Sequence, residues 1–157
     1  MGFVGQTRLG GNLVAVKRYA TEGSLALRRR ETLVELKLLK DLSYDHLTTF
    51  HGLSLGEPGR LVVAWEMCRK GSLPDVLFNE EIALDATFRA SIVRDVAAGL
   101  DFLHRSPLRL HGQLTAENCV VDSRWTVKLT DFRLPEILRG HRLRGTLSFK
   151  ARLSTGL

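Results

Sequence analysis

Short apolar runs and one leucine-rich helical spacing predict the elements of the first half of this chain. Leu13–Val16 predicts a buried strand, and leucines at three-residue spacing predict a helix over 22–42. Two more segments, Leu47–Leu53 and Leu61–Trp65, predict strands, and the Gly56–Gly59 segment between them carries a strong turn signal. The predicted order is therefore strand, helix, strand, strand.

A long amphipathic helix and two short strands are predicted in the second half. After a short helical segment beginning at Gly71–Pro74, a helix should run from an Asp85 N-cap to His104. Its apolar stripe consists of Phe88, Ile92, Val96, Leu100 and Leu103. We expect this stripe to pack against helices outside the chain, leaving the isolated chain marginally stable. Beyond a polar loop, Cys119–Val121 and the alternating Trp125–Leu129 segment predict the two strands.

Composition places these elements in one ordinary globular domain. The chain has 157 residues, of which 44% are hydrophobic and 25% charged. No run of 18 apolar residues and no secretory pattern occurs, so we expect no membrane span and a soluble chain. Cys68 and Cys119 form no Cys-x-x-Cys pair, which excludes a zinc ribbon and fits a reducing compartment.

The formal net charge of +6 arises almost entirely from the end of the chain. All 17 acidic residues lie at or before Glu136, whereas 137–157 contains five Lys and Arg residues. Such a segment could contact nucleic acid or a membrane surface. Phe149 is the only aromatic residue among these charges, so a base-stacking surface is not indicated. We interpret 137–157 as a basic, poorly ordered tail and expect no nucleic-acid partner.

Four groups of residues whose side chains could bind a ligand or take part in a reaction occur in an order that indicates a function. Val14–Lys17 ends a strand with a lysine, and Glu35 lies on the predicted helix 18 residues later. His111–Asn118 reads His-x-x-Leu-x-x-x-Asn, and Asp131–Phe132 begins 13 residues after that Asn. This order and spacing resemble the signature set of protein kinases.

The resemblance to protein kinases implies a role for each of these residues. Lys17 would neutralise nucleotide phosphates, and Glu35 would hold Lys17 through an ion pair. Asn118 and Asp131 would offer oxygen ligands to Mg²⁺. ATP is thus the implied ligand, bound weakly, with Mg²⁺ as its possible companion.

The closer resemblance is to the kinase-homology domain of membrane receptor guanylyl cyclases, and it covers roughly 8–136. It rests on Gly11–Lys17, Glu35–Lys37, His46–Gly52, Cys68–Leu73, His111–Leu114, Asn118–Asp122 and Lys128–Asp131. The resemblance implies an α+β, protein-kinase-like fold that is incomplete. Residues 1–66 would form a partial N-lobe, and 67–136 the hinge and the start of a helical C-lobe. Glu66 and Cys68 would then lie in the hinge that contacts the nucleotide.

Several positions depart from the pattern of an active kinase. Gln113 stands where the catalytic Asp is expected, and a carboxamide cannot accept a proton near neutral pH. No catalytic residue is therefore assigned. Arg133 replaces the glycine of Asp-Phe-Gly, and Trp65 occupies the gatekeeper position, where an indole would narrow the back of the adenine pocket. Gly2, Gly5 and Gly10 do not form a glycine-rich loop, and the strand that should precede such a loop is not recognisable.

The resemblance favours an ATP-binding regulatory pseudokinase module of a receptor guanylate cyclase involved in cGMP signalling. The remaining C-lobe helices and the cyclase domain are not recognisable, so we expect the chain to be a fragment. Its implied partners are a nucleotide and the other domains of the receptor, which would be a homodimer at the cytoplasmic side of the plasma membrane. Two alternatives stay open: an interaction scaffold that binds no nucleotide, and a fragment of an active kinase.

Overall fold

The computed structural model describes residues 4–21, 30–54, 60–134 and 143–144. Its elements in chain order are β1 (Val4–Leu9), β2 (Asn12–Thr21), α1 (Arg30–Asp41), β3 (Phe50–Ser54), β4 (Arg60–Glu66), β5 (Gly71–Ser72), α2 (Leu73–Leu77), α3 (Ala86–Arg105), a 3₁₀ turn (Ala116–Asn118), β6 (Cys119–Val121), β7 (Val127–Leu129) and β8 (Leu143–Arg144). The mixture of antiparallel sheets and helices confirms the predicted α+β class. Within these ranges, no helix combines the length and apolar character needed to cross a bilayer.

The first sheet has the strand order β1-β2-β4-β3, with every neighbouring pair antiparallel, and β8 also pairs with β2. The strand β1, which the sequence pattern did not predict, forms a hairpin with β2. Gly10 and Gly11 make its two-residue turn with φ of 56° and 86°, a conformation that glycine adopts without strain. Gly5 lies inside β1 rather than in a phosphate-binding loop. The polar residues of β1 are exposed, which explains why no apolar alternation marked this strand.

Local signals predicted the second half closely. Asp85 caps α3 as expected, because its Oδ1 accepts a hydrogen bond from the Phe88 amide at 2.7 Å. Ser72 and Asp75 form a capping box at the start of α2. The strand β7 begins at Val127 rather than at Trp125, because Trp125 takes a left-handed conformation with φ of 67° in the preceding turn.

The apolar stripe of α3 is covered in part by this chain itself. Leu103 is fully buried, and Phe88, Ile92, Val96 and Leu100 pack against the core at partial exposure. A Cβ placed on Gly99 would lie 2.9 Å from the His46 carbonyl oxygen and 3.0 Å from the Leu129 side chain. Strand β7 and Trp125 therefore supply a contacting surface that the sequence did not indicate. Packing of the stripe's exposed part against helices outside the chain, and the marginal stability expected from it, stay predictions.

One connection between α1 and β3 joins the two sheets. The Thr48 amide donates to the Leu129 carbonyl at 2.9 Å, and the Leu129 amide donates to the His46 carbonyl at 2.9 Å. Leu47 forms an isolated bridge with Leu129, so β3 begins at Phe50 and not at the predicted Leu47. The core is thereby continuous from the first sheet to β7.

Two predicted features lie wholly or partly outside the described residues. The start of the predicted helix over 22–42 is one of them, and α1 is described from Arg30. The other is the basic tail at 137–157, of which only Leu143–Arg144 is described, paired with Ala20 and Thr21 of β2.

Candidate functional site

The predicted site residues gather where the first sheet meets β6 and β7. Lys17 lies on β2, and Glu35 lies on α1. Asn118 ends the 3₁₀ turn, and its carbonyl accepts a hydrogen bond from the Thr130 amide at 2.9 Å. This bond places Asp131, the next residue, beside the Asn118 loop. Sequence spacing alone therefore located the elements that build the site.

Lys17 and Asp131 form a buried ion pair at the centre of the site. The Lys17 ammonium donates to Asp131 Oδ2, and the two residues are 4% and 2% exposed. Asp131 takes a left-handed conformation with φ of 60°. The Arg133 amide donates to the His111 carbonyl at 2.7 Å and fixes the chain just beyond Asp131. A strand and a strained loop thus hold these opposite charges together.

The partner of Glu35 differs from the sequence prediction. Glu35 Oε1 accepts a hydrogen bond from an Arg133 guanidinium nitrogen at 3.0 Å, whereas the described ion pair of Lys17 is with Asp131. Arg133 keeps the positive φ, at 62°, that a glycine would adopt at this position. The substitution therefore preserves the backbone conformation and adds a cation that reaches α1. The sequence predicted neither the Glu35–Arg133 pair nor the Lys17–Asp131 pair.

The oxygen atoms near Asp131 do not fit a resident Mg²⁺. Asp131 Oδ2 faces the Lys17 ammonium, which leaves Oδ1 as the buried carboxylate oxygen without a hydrogen-bond partner among the described residues. The Asn118 side chain donates through Nδ2 to the Gln113 carbonyl at 2.8 Å. Across the described ranges, no group of three or more His, Cys, Asp or Glu side chains could hold a metal. An ammonium in contact with the carboxylate competes with any cation there.

A column of four rings packs beside the ion pair. Ring centroids are 5.1 Å apart between Phe50 and Trp65, 5.1 Å between Trp65 and Phe132, and 6.3 Å between Phe132 and His111. Trp65 is 1% exposed, so it fills core near the end of strand β4. Its contact with Phe132 also couples the first sheet to the Asp131 loop. Whether it narrows an adenine pocket stays a prediction.

The predicted hinge residue Glu66, at the end of β4, forms hydrogen bonds with β7 and with the segment before β3. Its Oε1 accepts from the Lys128 ammonium at 2.6 Å, and its Oε2 accepts from the Thr49 amide at 3.1 Å. The Glu66 amide donates to the Thr49 carbonyl at 2.8 Å. Sequence reasoning missed Lys128 because a lysine in a period-2 strand normally faces solvent, whereas this one is 9% exposed. The short charge-assisted bond links the end of β4 to β7.

The thiols of Cys68 and Cys119 are buried, and their pKa values are raised. Burial, together with the nearby Glu66 carboxylate, raises the pKa of Cys68 to about 12. Burial and the Glu117 carboxylate raise the pKa of Cys119 to about 11. Both cysteines are free. They remain protonated at neutral pH, and Cys68 contributes packing at the hinge rather than a nucleophile.

Neutral polar groups surround Asp131. Burial lowers the pKa of His111 to about 4, and burial together with the Asp131 carboxylate raises the pKa of the Tyr19 hydroxyl. His111 Nδ1 accepts from the Gln113 amide at 3.3 Å, so the proton of the neutral ring is on Nε2. His111 Nε2, Tyr19 Oη and Arg133 Nε have no hydrogen-bond partner among the described residues. The site therefore holds unsatisfied donors close to a carboxylate.

The low pKa of His111 predicts that stability falls in mild acid. The pKa in the fold lies below the unfolded value of about 6.5, so folding disfavours the protonated ring. The His111 contribution is complete above pH 6.5 and is lost as the pH falls toward 4. At about 1.4 kcal/mol per pKa unit, the loss reaches up to about 3 kcal/mol. Urea unfolding of the wild type and of His111→Gln between pH 4 and 7.5 measures this loss in the free energy of unfolding.

His104, which is exposed on α3, provides the control for this prediction. His104→Gln should keep the pH dependence of the wild type, whereas His111→Gln should lose the part between pH 6.5 and 4. Equal slopes in the wild type and His111→Gln would contradict the assignment of this titration to His111.

Comparison with known proteins agrees with the arrangement of these residues. A profile of the family described as protein tyrosine and serine/threonine kinase matches residues 3–149. Atrial natriuretic peptide receptor 2 from Anguilla japonica is 44% identical over 124 residues, which is 79% of this chain and 12% of the receptor. Receptor-type guanylate cyclase gcy-28 from Caenorhabditis elegans is 46% identical over 127 residues, 79% of this chain and 10% of its own length.

A third relative extends the comparison to insects. Receptor-type guanylate cyclase Gyc76C from Drosophila melanogaster is 40% identical over 130 residues, which is 83% of this chain and 8% of that protein. The chain thus spans about a tenth of the length of the curated relatives it matches. The resemblance to the kinase-related segment of receptor guanylate cyclases is confirmed.

Proposed function

We propose that this chain, which belongs to the protein tyrosine and serine/threonine kinase family, is a nucleotide-binding regulatory module of a receptor guanylate cyclase. The observation that carries the proposal is the buried Lys17 at the junction of the sheets, opposed by the Asp131 loop. A buried ammonium on the sheet is suited to the phosphates of an ATP-type nucleotide. The hinge at Glu66–Cys68 would lie beside the base.

The loop that contains Gln113 supports binding without phosphate transfer. Its backbone amide donates to His111 and its backbone carbonyl accepts from Asn118, so the main chain of this loop is built into the site. The Gln113 side chain nevertheless offers a carboxamide where a transferase needs a carboxylate base. The nucleotide would therefore act as a signal, with its effect passed to the other domains of a receptor guanylate cyclase.

In the parent protein we place the module at the cytoplasmic side of the plasma membrane, within a homodimeric receptor whose separate cyclase domain forms cGMP. This placement is drawn from the relatives, which are named as receptors and receptor-type guanylate cyclases. It is a proposal about a longer protein.

An interaction scaffold that binds no nucleotide is the second candidate. Two observations favour it: the Lys17 ammonium already contacts Asp131, and Trp65 fills the space behind the hinge strand. The ring column and the two ion pairs could then serve only to hold the module in a shape that partner domains recognise. Nucleotide binding separates the two candidates.

Thermal shift with ATP tests the proposed function. At about ten times the dissociation constant, linkage gives about 1.4 kcal/mol, which corresponds to a melting shift of about 3–6 °C. Lys17→Ala should abolish the shift, because Lys17 meets the phosphate charge directly. Asp131→Ala should retain or enlarge it, because Lys17 remains and the carboxylate that contacts it is removed.

Lys40→Ala is the matched control, since it removes an exposed lysine from α1 and should shift like the wild type. Each shift is referred to the melting temperature of the same variant without ligand. No response to ATP in either the wild type or Asp131→Ala favours the scaffold. A shift lost in Asp131→Ala and kept in Lys17→Ala contradicts the role given to Lys17.

A further inference from the structure

The chain segment from β7 to Arg133 meets the rest of the protein through three ion pairs of alternating sign. Going along this segment, the charges are positive, negative and positive, and each faces an opposite charge on β4, β2 or α1. The pairs are Lys128–Glu66 at 2.6 Å, Asp131–Lys17, and Arg133–Glu35 at 3.0 Å. The segment is thus matched in charge to the first sheet and α1 along its whole length.

The middle pair is more buried than the outer two, and it differs from them in which partner carries the negative charge. The Asp131 and Lys17 side chains are 3% and 6% exposed, whereas the carboxylates of the outer pairs are 29% and 33% exposed. The middle pair is also the one in which the segment contributes the anion. That anion lies on the cation that our proposed function assigns to phosphate. Asp131 therefore occupies the place of a phosphate oxygen.

The surroundings of Asp131 can receive its carboxylate when it leaves Lys17. Asp131 Oδ1, the Tyr19 hydroxyl, His111 Nε2 and Arg133 Nε are all buried and lack a hydrogen-bond partner among the described residues. The three groups other than Asp131 are donors, and a carboxylate accepts from donors of this kind. Buried polar atoms are normally satisfied, so these donors are available to a carboxylate that turns away from Lys17.

We propose that this chain binds a metal-free nucleotide polyphosphate by exchange, in which a phosphate replaces Asp131 on Lys17 and no Mg²⁺ bridges the two. The inference rests on the proposed nucleotide site and specifies its ligand. Two observations lead to it: the Asp131 oxygen that would ligate Mg²⁺ is already in contact with the Lys17 ammonium, and Arg133, two residues beyond Asp131, adds a second cation that pairs with Glu35. Excess Mg²⁺ would weaken binding, because it neutralises the phosphate charge that Lys17 recognises.

The experiment measures dissociation constants by calorimetry for ATP, adenosine and inorganic tripolyphosphate, each in EDTA and in excess Mg²⁺. Asp131→Asn removes the internal anion and should tighten ATP binding in EDTA about tenfold or more, which is about 1.4 kcal/mol. Asp101→Asn, which removes an exposed carboxylate from α3, should bind as the wild type does. Tripolyphosphate binding without adenosine binding would identify the phosphates as the recognised group, and ATP binding tighter than tripolyphosphate would identify a nucleotide.

Folding of the variants is checked by a second substitution. Replacing both partners, Lys17→Met with Asp131→Leu, removes the buried charges together and should give a folded chain that binds neither ATP nor tripolyphosphate. ATP binding that requires Mg²⁺ and is lost in Asp131→Asn would overturn the exchange and leave the proposed function standing. No ATP binding in either the wild type or a folded Asp131→Asn would overturn both. Binding in Asp131→Asn alone supports the exchange.

Discussion

Replacing Trp65 with alanine should lower the free energy of unfolding by about 3–5 kcal/mol, the usual cost of truncating a buried aromatic side chain. Trp65 is 1% exposed and lies between Phe50 and Phe132, with both centroids 5.1 Å from its own. The truncation removes the ring that joins the first sheet to the Asp131 loop, so both sheets lose contacts. Urea unfolding at pH 7.5, monitored by circular dichroism, measures the change.

Phe78 supplies the control for this prediction, because it is 84% exposed at the end of α2. Phe78→Ala should change the free energy of unfolding by no more than about 0.5 kcal/mol, as is typical of surface substitutions. Similar losses in Trp65→Ala and Phe78→Ala would show that the ring column does not hold the sheets together.

Phosphate incorporation by the wild-type chain should not exceed that of Lys17→Ala in a radiolabelled-ATP assay with generic protein substrates. Gln113 cannot take the proton of a substrate hydroxyl, and loss of a general base typically costs about 10²–10⁴-fold in rate. The Lys17 ammonium in contact with Asp131 adds a second obstacle, because the carboxylate that would hold Mg²⁺ in a transferase is already paired.

Lys17→Ala serves as the background in this assay, since it removes the phosphate-binding cation while keeping Gln113. Incorporation by the wild type above this background would show that phosphate transfer survives without a carboxylate at position 113. The same preparations can be used for the ATP thermal shift, which separates loss of transfer from loss of binding.

Local signals explain which elements the sequence predicted well. The helix expected from Asp85 to His104 is α3 at Ala86–Arg105, because an N-cap and an apolar stripe at helical spacing both act within a few residues. The strand β1 escaped prediction because its partner β2 supplies the hydrogen bonds, and an exposed strand needs no apolar alternation. The sequence did not indicate that β7, more than 20 residues later, covers part of the α3 stripe, because that contact is tertiary.

The sequence by itself determined the α+β class, the family resemblance, and the placing of Lys17, Asn118 and Asp131 on elements that meet. Only the tertiary structure decided the partners: Lys17 with Asp131, Glu35 with Arg133, and Glu66 with Lys128. The spacing of a motif indicates which helix or strand carries each charged residue, because helices and strands form largely from interactions between residues that are near in sequence. Partner choice depends on side-chain reach across packed elements, as the Arg133 side chain shows by reaching Glu35 on α1.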